Sequence, residues 1–166
     1  MPRPEIARIQ EELRTAGLDG WLLYDFHNRD GIAYRVLGLD FTKFTSRRWF
    51  FWIPAQGEPV RLTSKVEPTR LDALPGKKVS YLAWRELHAR LKEILGPARK
   101  VAMQFSPVAN IPYVSLVDGG TIDLVRSLGF GPGGGRVHAG LAKPTRRLLH
   151  PLIGVGAYVA SLPILA

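Results

Sequence analysis

The stretch Arg47–Pro54 reads RRWFFWIP, and this part of the chain decides the fold. The apolar run from Trp49 to Ile53 puts large side chains on both faces of an extended strand, because successive side chains of a strand point to opposite faces. A strand of this kind is buried on both sides, near the centre of a sheet. The turn sequence QGEP follows, and then a second apolar run, Val60–Thr63. The pair predicts a β-hairpin.

Strand patterns alternate with helical patterns on both sides of this hairpin. Helices have apolar residues at spacings of three and four, whereas short apolar runs bounded by turn residues indicate strands. We expect an α/β domain in which helices cover a mostly parallel sheet with one antiparallel hairpin. The predicted helices span residues 4–16, 28–37, 84–95 and 114–128, and the further strands span 21–24, 77–82 and 100–105.

The charge distribution divides the chain near Gly129. All 14 acidic residues lie at or before Asp123, although basic residues continue to Arg147. We therefore predict a domain over residues 1–129 and an irregular, atypical tail over 130–166 that is rich in glycine and proline and has no strand or helix pattern. A family member with a high-GC gene, read in a shifted frame, would have such a tail, and GGGRVHAGL is compatible with the shifted reading of a last strand.

The sequence offers no residues for catalysis, cofactor binding or metal binding. Cysteine is absent, which excludes disulfides and thiolate sites. The glycines at 129, 131 and 134 satisfy G-x-G-x-x-G but follow a helix instead of a strand, so they do not predict a phosphate site. No serine lies in a G-x-S-x-G motif. Acids such as Glu67 and Glu86 have positions typical of solvated faces. The histidines match no ligand spacing: His27, His88, His138 and His150.

Composition also limits the partners. The net charge is +9, but residues 1–127 carry only +5 of it, with 19 basic side chains scattered among 14 acidic ones. The aromatic run at 49–52 is interpreted as buried rather than as a base-stacking platform, so we predict no nucleic-acid partner. The uncharged segment Pro151–Ala166 contains two prolines and is shorter than the about 20 residues that span a membrane, which argues against insertion. The first ten residues lack the apolar run of a secretory signal, and we expect a cytoplasmic location.

The order of these motifs resembles the N-terminal domain of creatinase, prolidase and Xaa-Pro aminopeptidase over about residues 4–129. The most specific segments are the Pro-Ala-x-Gly-Glu-Pro turn at 54–59 and the closing helix Tyr113–Gly129. The resemblance implies a three-layer, ribonuclease-H-like α/β/α domain with a mixed sheet and no metal ligands. In the family, this domain shapes the active-site mouth and the subunit interface of a separate catalytic domain. That domain holds two divalent metal ions and cleaves the bond preceding proline.

The chain departs from the family pattern in two places. Many relatives have asparagine three positions before the tyrosine that follows the first strand, and Gly31 stands there before Tyr34. No acidic residue follows Asp123, so the family's cage of two Asp, one His and two Glu cannot be built. The resemblance thus implies a noncatalytic N-terminal domain of a proline-specific metallo-exopeptidase, truncated before the catalytic domain, with no cofactor of its own.

The resemblance also implies partners and one pair of contact residues. We expect self-association or a catalytic partner domain. Arg47 and Arg48 are candidates for contact with the active site of a neighbouring subunit, with a surface or interface salt bridge as the other interpretation. Two alternative functions remain open, a stand-alone interaction or oligomerisation module and a small basic nucleic-acid-binding protein.

Overall fold

A mixed six-stranded sheet lies at the centre of the domain, in a computed structural model that describes residues 5–129 and 136–139. Helices cover both faces of this sheet, so the predicted three-layer α/β domain is confirmed. The helices are α1 (Ile6–Thr15), α2 (Gly31–Leu37), α3 (Trp84–Leu95) and α4 (Gly119–Ser127). The strands are β1 (Gly20–Asp25), β2 (Trp49–Pro54), β3 (Val60–Ser64), β4 (Lys77–Tyr81), β5 (Lys100–Met103) and β6 (Arg136–Ala139).

The strand order is β4-β3-β2-β1-β5-β6. Strand β2 runs antiparallel to both neighbours, and the other three pairs are parallel. The sequence predicted one antiparallel pair, and the second arises because α2 and the loop over 38–48 turn the chain back at the carboxyl end of β1. A parallel connection would have to carry the chain across the sheet.

The aromatic strand β2 is buried from both sides, as its sequence predicts. Trp49, Phe51 and Ile53 pack with α1 and α2 on one face, whereas Phe50 and Trp52 pack with α3 and α4 on the other. None of these five side chains is more than 5% exposed. Each Å² of apolar surface removed from water stabilises the folded state by about 25 cal/mol. A strand buried on both faces therefore stabilises the packing of both layers of helices.

Helix α4 begins later than the helical pattern predicts. The segment before it contains a short 3₁₀ turn at Pro112–Val114, and the helix begins at Gly119. Asp118 caps it, because its carboxylate accepts the backbone N–H of Thr121 at 2.8 Å. Leu116, which falls inside the predicted helix span 114–128, therefore precedes the helix.

Strand β6 corrects the prediction that no strand follows Gly129. Its four residues pair in parallel with β5, with Val101 opposite Val137. Pairing satisfies the backbone groups of β5, which would otherwise form an open edge. Four residues are too few to show a period of two, which is why the pattern was missed. The apolar segment Pro151–Ala166 lies outside the described residues.

Candidate functional site

A tight polar loop follows β1 at residues 26–30. The carboxylate of Asp25 is fully buried and accepts the backbone N–H groups of Asn28, Arg29 and Asp30 at 3.0, 2.7 and 2.9 Å. His27 and Asn28 have left-handed backbone conformations, with φ of 62° and 56°. Three hydrogen bonds to one carboxylate hold this less favourable conformation, so the loop has a defined shape.

Tyr34 links this loop to a distant part of the chain. Its hydroxyl lies 3.2 Å from the Asp25 carboxylate and 3.0 Å from the side-chain oxygen of Asn28, and it accepts a hydrogen bond from the guanidinium of Arg70. Burial raises the pKa of Tyr34. The polar contact to Tyr34 thus comes from Asn28, six positions upstream, and does not need an asparagine at position 31.

Asn28 also shapes the next loop, over residues 38–48. Its side-chain N–H₂ group donates to the backbone oxygens of Phe41 and Lys43 at 2.8 and 3.1 Å. Its side-chain oxygen accepts the backbone N–H of Thr45 at 3.1 Å. One asparagine therefore joins the two loops that form this end of the sheet.

Asp30 caps α2 by accepting the backbone N–H of Ala33 at 2.9 Å. It is 1% exposed, and its second carboxylate oxygen has no hydrogen-bond partner among the described residues. Burial raises the pKa of Asp30 to about 7; the Ala33 hydrogen bond opposes this shift, and the charge of Asp25 adds to it. Near neutral pH, the cap is therefore balanced between its charged and neutral forms.

Glu67 anchors the start of β2, and the interpretation of its carboxylate as a solvated surface group is wrong. The carboxylate accepts the backbone N–H of Ser46 at 2.9 Å, that of Arg47 at 3.2 Å and the hydroxyl of Ser46. Partial burial opposes ionisation, but these hydrogen bonds lower the pKa of Glu67 overall. The carboxylate stays charged at neutral pH and holds the loop against β2.

An open groove of about 810 Å³ lies beside the carboxyl end of β1, on the face of the sheet that carries α3 and α4. Tyr24 lines it and donates from its hydroxyl to the carboxylate of Asp118 at 2.9 Å. Burial raises the pKa of Tyr24 to about 12, so the phenol stays protonated. Partial burial opposes ionisation of Asp118, but hydrogen bonds from Thr121 and Tyr24 lower the pKa of Asp118 below its usual value.

Only one of the two arginines predicted as contact residues lines the groove. Arg48 is half-buried and lines the groove, and its backbone oxygen accepts the Tyr81 hydroxyl at 2.6 Å. Arg47 is exposed, and its guanidinium donates to the backbone oxygen of Ser46 at 3.1 Å. Neither forms a salt bridge with another residue in 5–129. Contact of either with a neighbouring subunit stays a prediction.

Sequence reasoning missed three charged residues of the groove, Arg29, Asp118 and Asp123. The D-x-x-T pattern before α4 is a helix-start signal that could have identified Asp118. Nothing in the sequence distinguishes Arg29 from other exposed arginines, because its place depends on the loop held by Asp25.

The histidines are separate from one another. The ring of His27 packs against Phe26 and Phe44, whereas His88 contacts Trp84 at the groove. The side chain of His138 and all of His150 lie outside the described part of the chain. Within that part, no three His, Cys, Asp or Glu residues form a group that could hold a metal ion. None of its helices is long and apolar enough to cross a membrane.

Solved structures with the same architecture exist, although no family model and no curated protein sequence matches this chain. A proline dipeptidase from Streptococcus pneumoniae is 17% identical with a TM-score of 0.62, over 87% of this chain and 96% of the other. The creatinase/prolidase N-terminal domain of an X-Pro dipeptidase from Streptococcus pyogenes is 16% identical with a TM-score of 0.58, over 81% and 92%.

A longer solved structure shows what fraction of a dipeptidase chain this fold occupies. A dipeptidase from Mycobacterium ulcerans is 18% identical with a TM-score of 0.60, over 87% of this chain but 35% of its own. The chain thus spans about a third of that dipeptidase and nearly all of the two streptococcal chains. The described residues have the fold of the creatinase/prolidase N-terminal domain.

Proposed function

We propose that this chain serves as the noncatalytic N-terminal domain of a proline-specific metallo-exopeptidase of the Xaa-Pro aminopeptidase or prolidase type. The observation that carries this proposal is the scale of the structural match. The same fold accounts for 96% of a streptococcal proline dipeptidase chain and for 35% of a longer dipeptidase chain. A domain that recurs inside a longer peptidase has a role beside the catalytic unit.

The loops at the carboxyl end of β1 suit such a role. Asp25, Asn28 and Glu67 hold the backbone of the loops over 26–30 and 38–48 by hydrogen bonds. Loops fixed from behind by buried side chains form a rim of defined shape. In the proposed function, this rim lines the mouth of a catalytic domain and positions substrate there.

The described carboxylates do not fit the divalent metal ions of that chemistry. Metal-dependent peptide hydrolysis needs several carboxylate and imidazole ligands aimed at one point. The oxygens of Asp25 are aimed at backbone N–H groups, and those of Glu67 at Ser46 and Arg47. The metal ions therefore belong, in this proposal, to a separate domain.

Exposed aromatic and aliphatic side chains at the same end support a protein partner. Phe41 is 51% exposed, Phe44 67% and Val66 56%, all near the second loop. Such a surface favours contact with a catalytic partner domain or with a second copy of the chain. It equally favours the second candidate function, a stand-alone interaction module, whereas burial of Trp49 and Trp52 removes the base-stacking platform that a nucleic-acid binder would use. A cytoplasmic location remains part of the proposal.

The first experiment tests catalysis by the chain alone. Purified protein is incubated with manganese, cobalt or zinc and an Xaa-Pro dipeptide, and release of the first residue is measured. We expect no release above a protein-free control. Metal-dependent release that a chelator abolishes would contradict the noncatalytic assignment.

The second experiment tests the role beside a catalytic domain. The nucleotide sequence after the Gly129 codon is read in all frames, and a metallopeptidase catalytic domain encoded there is expressed with and without this chain. We expect the two proteins to elute together and the activity to need both. A catalytic domain that is equally active alone and forms no complex would contradict the proposal, and the absence of any such coding region would favour the interaction module.

A further inference from the structure

Arg48 is a half-buried cation that lacks an anionic partner among the described residues. It lies close enough to the hydroxyls of Tyr24 and Tyr81 to favour their ionised forms electrostatically. Its guanidinium forms no salt bridge and donates no hydrogen bond to a residue within 5–129. A guanidinium has five N–H donors in a planar fork that matches a carboxylate. Its donors are therefore available to an anion that enters the groove.

The groove is lined by a second arginine and by two carboxylates. Arg29 and His88 line it together with Arg48, and so do Asp118, which caps α4, and Asp123, from the middle of α4. Asp118 forms no salt bridge within 4 Å with either arginine, so the opposite charges do not neutralise each other by direct contact. Phe26 and Leu124 add apolar surface to the lining.

This arrangement is complementary to a small zwitterion with an apolar part. The cations suit a free carboxylate, Asp118 suits a protonated amine, and the apolar surface suits a side chain or a proline ring. A volume of about 810 Å³ is within the range of small-molecule sites and accommodates two or three residues.

We propose that this groove binds a short peptide by its free carboxylate, with Arg48 as the bidentate partner, Arg29 as the second cation and Asp118 facing the amine. The choice of a peptide, rather than another zwitterion, rests on the proposed function. Arg48 is then a specificity-determining residue of the domain, because a bidentate pair rejects ligands that lack a carboxylate.

The test is an NMR titration of the ¹⁵N-labelled full chain at low ionic strength. The ligands are Ala-Pro and its C-terminal amide, which differ only in the group that Arg48 would bind. We expect the free acid to bind at least about tenfold more tightly than the amide, with the largest shifts near Tyr24, Arg48 and Thr121. Equal affinities for acid and amide would overturn the proposal.

Two neighbouring arginines supply the matched variants. Arg48→Gln is expected to weaken Ala-Pro binding about tenfold, and Arg48→Lys by less, because one charge remains without the fork. Arg47→Gln removes the adjacent charge, which does not line the groove, and is expected to bind as the unchanged chain does. An equal loss for Arg47→Gln and Arg48→Gln would show a general charge effect and contradict the assignment. Thermal melts of each variant check folding, and the acid-to-amide comparison does not depend on any variant.

A second ligand comparison tests whether the groove recognises the protonated amine of the peptide. N-acetylated Ala-Pro keeps the carboxylate and loses the positive charge, so we expect weaker binding than for Ala-Pro. If the acetylated peptide or propionate binds as tightly as Ala-Pro, the assignment of a zwitterionic peptide is wrong. None of these measurements involves hydrolysis or a catalytic domain, so their failure is distinguishable from failure of the proposed function.

Discussion

Strand β2 and the polar network of Asp25, Asp30 and Tyr34 are about equally buried, but for different physical reasons. The aromatic side chains of β2 exclude water with contacts that need no particular direction. The network buries polar groups instead, with Asp25 fully buried, Asp30 1% exposed and Tyr34 2% exposed. A buried polar group is stable only where a partner of correct geometry meets it, and the partner Arg70 lies 36 positions from Tyr34. Apolar burial thus follows from a local pattern, whereas polar burial depends on distant residues.

The largest expected effect on stability comes from a change in the apolar strand β2. Phe51 is 0% exposed at the centre of the sheet, so Phe51→Ala leaves a cavity and should lower the free energy of unfolding by about 3–5 kcal/mol. Phe44→Ala is the matched control, because Phe44 is 67% exposed and should change stability by about 0.5 kcal/mol at most. Urea unfolding measures both, and similar losses would show that β2 is not the core strand.

The next effect concerns the pH dependence of the polar loop. Because the folded pKa of Asp30 is raised to about 7, the folded state binds more protons than the unfolded state below that pH. This contribution to stability is full below the unfolded pKa of 3.8 and is lost as pH rises through about 7. The loss is at most about 4 kcal/mol.

Asp30→Asn isolates this titration, because the amide can still cap α2 but does not ionise. Urea unfolding at several pH values from 4.5 to 8 should show the unchanged chain losing stability relative to the variant as pH rises. A constant difference between the two proteins, or one of opposite sign, would contradict the raised pKa.

Tyr34→Phe tests the link between the loop and Arg70. The change removes a hydroxyl that contacts Asp25, Asn28 and Arg70, so each of these polar side chains loses one hydrogen-bond partner. We expect a loss of about 2 kcal/mol by urea unfolding. Tyr113→Phe removes the same atom from a side chain that is 86% exposed, and it should have no measurable effect. If both variants are neutral, the polar network does not stabilise the loop.

The smallest effect compares two glutamates. Glu67 holds Ser46 and Arg47 at the start of β2, whereas Glu93 forms an exposed ion pair with Arg90 on α3. We expect Glu67→Gln to cost about 1 kcal/mol and Glu93→Gln much less. Amide exchange at Ser46 and Arg47 should accelerate only in Glu67→Gln. Unchanged exchange in that variant would contradict the proposal that Glu67 anchors these two residues.

Hydrophobic periodicity predicted most helices and strands, because the sequence of each element determines which of its side chains are buried. Helix α3 has the predicted bounds, and α2 ends at Gly38, which has the left-handed conformation typical of a helix end. The start of α4 was missed because apolar residues continue through the preceding 3₁₀ turn, although the cap at Asp118 was available as a signal. Strand β6 was missed because its pairing with β5, and not its own pattern, makes it a strand.

The candidate site was much less predictable than the fold. The period of two implies that Arg47 and Arg48 point to opposite faces, but only the packed helices α3 and α4 turn one of those faces into a groove. Arg29 reaches the same groove because Asp25 folds the loop, and Asp118 reaches it because it caps α4. These contacts join parts of the chain up to 94 residues apart, as in the hydrogen bond from Tyr24 to Asp118.

The sequence alone determined the alternation of strands and helices and the two-sided burial of β2, because hydrophobic periodicity acts over a few residues. It also determined that acidic residues end at Asp123, whereas basic residues continue to Arg147. Only the tertiary structure decided the direction of β2 relative to β1, the pairing of β6, the buried network around Tyr34 and the charged walls of the groove. These features depend on directional hydrogen bonds and on charges brought together from distant positions, and no local pattern encodes either.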